Sequence, residues 1–166
     1  MPAVFLGQKP TIVNKSLFRS VILSGLIVGL LDITAACVNA YLQRGITPAG
    51  VLRYVASGFF GKEAFEGGMG MAAMGLLFHF IIALSWTTLF FVLYDKIKVL
   101  QLNKIYVGLG YGIVVWLGMN FIVLPLSNVP PLVYRLVPTL IMIGIHMFVI
   151  GLSISLLANQ FLARKS

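Results

Sequence analysis

Four apolar stretches, residues 17–41, 67–94, 105–127 and 138–160, dominate this chain of 166 residues. Each reaches the length of about 20 residues that a helix needs to cross a hydrocarbon core about 30 Å thick. A bilayer interior offers no water to backbone N–H and C=O groups, so a spanning segment must satisfy them itself, and a helix does so. The stretches therefore predict four transmembrane helices. Composition agrees: 60% of residues are hydrophobic, 10% are charged, and the mean hydropathy is +1.02. Soluble domains carry about 25% charged residues, and a globular surface cannot be built from so few. The spans use up nearly the whole chain, which predicts a single transmembrane domain over residues 1–166.

The net charge of +8 does not point to nucleic acid, because the basic residues are not gathered on a soluble module. They lie between the apolar runs. Lys9, Lys15, Arg19, Lys96, Lys98, Lys104, Arg164 and Lys165 fall on one side, and Arg44, Arg53, Lys62 and Arg135 on the other. The positive-inside rule then puts both termini and the 95–104 loop in the cytoplasm. Tyr41, Tyr54, Tyr94, Tyr106 and Tyr134 near span ends fit aromatic belts. The lone cysteine, Cys37, permits no intramolecular disulfide and reads as a small apolar residue. The run before it superficially resembles a lipoprotein signal, but Asp32 breaks the apolar region and Thr34 stands where an aliphatic residue belongs. An uncleaved span is expected.

The first outer connection, ITPAGVLRYVASGFFGKEAFEGG, begins with Thr47 and Pro48, a cap followed by proline at the first helical position. A short outer interfacial helix is expected at about 47–65, with Val51, Leu52, Val55 and Phe59 sharing one face and Arg53 and Ser57 elsewhere. A re-entrant segment is the alternative, since Gly58, Gly61, Gly67 and Gly68 permit bends. The second outer connection, SNVPPLVYRLVP, is proline-rich and stiff.

Four strongly polar side chains fall inside the spans: Asp32, His79, Asn120 and His146. At a rise of about 1.5 Å per residue, all four lie within roughly 6 Å of the midplane. On the first span Gly25, Gly29, Asp32, Ala36 and Asn39 form one helical stripe, and on the second Gly68, Ala72, Gly75 and His79 do the same. Small residues at this spacing let helices approach closely, so Asp32 and His79 belong to packing faces, and the first two spans are expected to pack most tightly. Gly108 and Gly112 form a separate small patch. For Asn120 and His146 the inward direction rests on the cost of facing lipid.

Intramembrane Asp and His mark proton or ion pathways, which makes proton- or ion-linked transport the first of the functional expectations, behind a purely structural role for the cluster. Glu63, Glu66 and Arg53 are candidates for an outer entrance, with plain interface charges as the simpler reading. Hydrogen bonding across the bundle, with no transport, is the competing account of the cluster. An accessory or scaffold subunit of a larger membrane complex is an alternative of a different class. A haem held by His79 and His146, or zinc or iron on the histidines and Asp32, is a third, although no local ligand motif supports it. There is no P-loop, GxSxG, CxxC or dinucleotide fingerprint, so an enzyme would have to use the intramembrane polar cluster alone. The lipid bilayer is the expected partner, with a membrane-protein partner or a second copy as further candidates.

The stretches GLLDITAA, RYVASGFFGKEAFEGG, GLLFHFIIA and YGIVVWLGMNFIVLPLS together resemble a widespread group of small uncharacterised bacterial inner-membrane proteins. MNFIVLPLSNVPP is similar to the equivalent part of the YagU-like family. The resemblance covers most of residues 20–150. It implies four transmembrane helices and a bacterial cytoplasmic membrane, and it implies no activity.

Overall fold

The computed structural model describes residues 11–94, 96–130 and 135–162, with backbone alone over 11–16. Lys9, Tyr134, Arg164 and Lys165, the side chain of Lys15 and much of the proline-rich connection lie outside the described residues. The described chain is helical, with no strand. In order come α1 (Thr11–Arg44), α2 (Pro48–Phe60) with a 3-10 turn over Gly61–Phe65, α3 (Gly68–Tyr94) and a 3-10 turn over Lys98–Gln101. Then follow α4 (Lys104–Gly118), which continues as a π turn over Met119–Val123, and α5 (Leu136–Ile145), which runs through a π turn over His146–Gly151 into α6 (Leu152–Leu162). Four helices are long and apolar enough to cross a membrane: Leu17–Arg44, Gly68–Tyr94, Lys104–Val123 and Leu136–Leu162.

The third of these is shorter than the 105–127 expected from hydropathy. Pro125 has no N–H, and its ring crowds the carbonyl four residues earlier. The helix widens just before it, where the Leu124 N–H donates to the Met119 carbonyl at 2.8 Å, and then ends. Pro138 has no such effect, because it sits in the first turn of α5, where N–H groups lack helical partners anyway.

The interior is built around Val28, Phe90, Phe91, Tyr111, Val115, Ile150 and Ile154. Bulky aliphatic residues face outward, Leu30 and Leu31 among them, which is the distribution expected of a surface in contact with lipid. Of the small stripe of α1, Gly25 and Gly29 are buried, while Asp32, Ala36 and Asn39 are half-buried. Gly25 lies against Leu84, and a Cβ on Gly29 would come within 2.8 Å of the Phe80 ring and 3.2 Å of the Ala83 Cβ.

Three packing expectations are corrected. Among the four spans the closest backbone approach joins α4 to the last helix, not the first span to the second. Gly112 lies against the backbone of His146 and Met147, and Gly151 against that of Gly108 and Gly112. On α3, Gly75 serves α2 instead, since a Cβ there would run into the Leu52 carbonyl, with Ala56 N at 3.2 Å, and Gly68 is exposed, where a Cβ would meet nothing within 4 Å. The inward face of α2 also differs from the one hydrophobicity selects. Ala56 and Ser57 are fully buried while Phe59 is 70% exposed. The Ser57 hydroxyl donates to the Tyr54 carbonyl at 2.7 Å, so its burial leaves no hydrogen bond unmade.

Helix α2 is fastened at both ends. Thr47 Oγ1 accepts from the Gly50 N–H at 3.3 Å. Beyond its last turn, the Asn128 N–H donates to the Gly58 carbonyl at 2.9 Å and Asn128 Nδ2 to the Phe59 carbonyl at 3.0 Å. Phe78 of α3 stacks on Phe60 with ring centroids 5.9 Å apart.

Candidate functional site

Between α1, α3, α4 and the last helix lies a cavity of about 90 Å³, with Asp32, His79 and His146 in its wall. Val55 of α2 closes one side, and Trp86 and Met119 complete the polarizable part of the lining. The close packing of α1 on α3 through Gly25 and Gly29 is what positions the first two groups. His79 Nε2 donates to the Gly29 carbonyl at 2.8 Å, one turn before Asp32, and stands 3.9 Å from Asp32 Oδ2. That separation is too long for a hydrogen bond and suits an ion pair or a bridging water. It is the one acid–base pair within 4 Å among the described residues.

His146 approaches from the last helix. Its Nδ1 donates to the Met142 carbonyl at 2.8 Å. A carbonyl only accepts, so each bond fixes a tautomer when the ring is neutral. His79 then carries its proton on Nε2 and His146 on Nδ1, leaving His79 Nδ1 and His146 Nε2 with free lone pairs. His146 also opens a π turn, a feature often found at functional sites. Trp86 Nε1 donates to Met119 Sδ at 3.4 Å, tying two walls of the cavity together.

Asn120 does not join this group. Its Nδ2 donates to the Trp116 carbonyl of its own helix at 2.9 Å, and it does not line the cavity. Nor do the proposed entrance residues. Glu63 and Glu66 are exposed, and Arg53 is occupied with the Phe65 carbonyl at 3.1 Å and the Ala49 carbonyl at 3.4 Å. Arg53 thus folds the 3-10 turn back onto α2. Val55, Trp86 and Met119 were not evident as site residues from the sequence. The one available signal was the position of Val55 on the apolar side of α2.

The volume limits the chemistry. Pockets for small organic ligands start at about 300 Å³, so an organic cofactor such as haem has no room between the two histidines. Among the described residues no cluster of three or more His, Cys, Asp and Glu is arranged to hold a metal ion. The cavity has room for a few water molecules or one small ion, beside a carboxylate that is 23% exposed and two imidazoles.

Fold and site together define, over the described residues, an all-helical chain of the multi-pass membrane type, with a small, largely apolar cavity that carries three ionisable side chains among four long apolar helices. The chain matches no protein-family model, no curated protein and no solved structure.

Proposed function

We propose that this protein is a small integral protein of the bacterial inner membrane, with both termini cytoplasmic, that handles a proton or small ion at Asp32, His79 and His146. The observation that carries this reading is the cavity itself. Three different spans each direct one ionisable side chain into a space of about 90 Å³. Membrane interhelical hydrogen bonds average about 0.6 kcal/mol, a small return for keeping a carboxylate in an apolar layer. A purely structural carboxylate would be expected to have a direct hydrogen-bonding partner in the neighbouring helix. Here the nearest base is 3.9 Å away, and its Nε2–H is already given to the Gly29 carbonyl. Space for water beside Asp32 favours exchange over packing.

The inward side follows from the Lys and Arg count, with the loop that carries Lys96, Lys98 and Lys104 on the cytoplasmic face. The test is proton and ion flux in liposomes, comparing the wild type with Asp32→Asn. Flux in the wild type that is lost in the variant is the expected result. Equal flux in both, or none in either, overturns the reading.

A further inference from the structure

The cavity does not end the line of polar groups. On α1, Ser20, Ser24, Val28 and Asp32 recur every four residues, and all but Asp32 are buried. Asn39 Nδ2 donates to Met142 Sδ, and Asp32 shares the cavity with His146. This antiparallel register puts Val28 level with Ile150, Ser24 level with Ser155, and Ser20 level with Asn159. On α3 the contacts of Gly25 with Leu84 and Gly29 with Ala83 put Ser24 level with Thr87. Four residues advance a helix by about 6 Å, so the Ser24 layer lies about 12 Å from Asp32, toward the loop that follows Tyr94.

That layer is polar and sealed. Ser24, Thr87 and Ser155 are fully buried or nearly so. Thr87 donates to the Ala83 carbonyl at 2.8 Å, and the Tyr111 hydroxyl donates to the Trp86 carbonyl at 2.7 Å. The hydroxyls of Ser24 and Ser155 have no hydrogen-bond partner among the described residues. A buried hydroxyl without a partner is costly, and alanine would fill the same space without that cost. Ser155 also packs beside Gly108 of α4, and a water reaching both hydroxyls would satisfy them. One turn further, Asn159 Nδ2 donates to the Tyr94 hydroxyl at 3.3 Å and Gln101 Nε2 to the Tyr94 carbonyl at 2.9 Å. The line thus reaches the end of the bundle.

We propose that the species handled at Asp32 is a proton, and that Ser24 and Ser155, bridged by water, form the second station of its path toward Tyr94 and Gln101. The proposal rests on the reading of Asp32 as an exchanging site. Val28, Val115 and Ile150 form the floor of the cavity and separate it from the hydroxyl layer by about one helical turn. An alkali cation must shed its water to pass such a floor, and beyond it meets only neutral hydroxyls. A proton needs only a single file of water, admitted transiently between these closely packed core side chains. Asp32 releases it to that file, each oxygen accepts one proton and passes on another, and every hydroxyl is restored.

The test uses the full chain in liposomes with an internal pH dye, under an imposed membrane potential, with sodium and potassium flux measured in parallel. The set is wild type, Asp32→Asn, and the double variant Ser24→Ala, Ser155→Ala, with unfolding midpoints in detergent for each. Proton flux at least tenfold lower in the double variant, with an unlowered midpoint, is expected. Wild-type flux in the double variant, with flux lost in Asp32→Asn, overturns the serine station and leaves the Asp32 site standing. Flux carried by sodium or potassium overturns the proton assignment alone. Lost flux with a lowered midpoint marks the serines as packing residues and also overturns the proposal. No flux in the wild type removes both readings.

Discussion

Two glycines of α4, two residues apart, should respond to the same substitution in opposite directions. A Cβ on Gly110 meets no atom within 4 Å. Gly110→Ala then gains only the helix-propensity difference, about 0.5–1 kcal/mol of stability. Gly112→Ala gains the same amount, but its Cβ runs into the carbonyl of His146 and the Cα of Met147. Overpacking a well-filled site costs about 1–3 kcal/mol. The upper end applies here, because the obstructing atoms are backbone and cannot rotate away. The net effect is a loss of about 1–2 kcal/mol, so the two variants should differ by roughly 2–3 kcal/mol. Equilibrium unfolding in detergent micelles, followed by tryptophan fluorescence, measures the difference. If Gly112→Ala proves as stable as Gly110→Ala, α4 and the last helix are not in backbone contact, and the position assigned to His146 falls with that contact.

The neutral imidazoles should show opposite tautomers in ¹⁵N-labelled histidine NMR spectra, His79 protonated at Nε2 and His146 at Nδ1; identical tautomers would refute at least one of the carbonyl bonds. Asn128→Ala removes the amide side-chain bond to the Phe59 carbonyl and should cost about 1 kcal/mol. Hydrogen exchange should rise in the last turn of α2, and an unchanged rate there would count against the tie. Gly61 has φ +61° and ψ −141°, a conformation essentially confined to glycine. Gly61→Ala should therefore lower the unfolding midpoint, with a cost of about 1–3 kcal/mol, even though only the Asn128 Cβ lies within 4 Å of the new methyl group.

The four long helices were legible because run length and apolarity are one-dimensional properties. Asp32 was placed inward by the Gly25 and Gly29 stripe, which does pack on α3, whereas Gly75, from the stripe used to place His79, serves α2, so the bond of His79 to the Gly29 carbonyl was not legible. Asn120 lacked that guide. Its Nδ2 donates to the Trp116 carbonyl of its own helix, and lipid avoidance, the only argument for its direction, did not place it at the cavity. Ser57 failed for a related reason: a hydroxyl that bonds within its own helix is free to be buried, and a rule that turns polar residues outward misplaces it.

The partner of Gly112 was hidden by helix geometry rather than by residue type. In an α-helix, residues five apart lie about 140° apart around the axis, which sets His146 and Gly151 on different faces. The last helix does not keep that geometry between them. Its π turn runs over His146–Gly151, and the Leu152 N–H donates to the Met147 carbonyl five residues back. Bonds of this spacing bring residues five apart nearly into line. Gly112 contacts the His146 carbonyl and the Met147 Cα as well as Gly151. The widened turn lets one helix present a glycine to its neighbour and an imidazole to the cavity from almost the same side. Reading the stretch with a constant period of 3.6 separates the packing contact from the site, although the structure has them joined at a single turn.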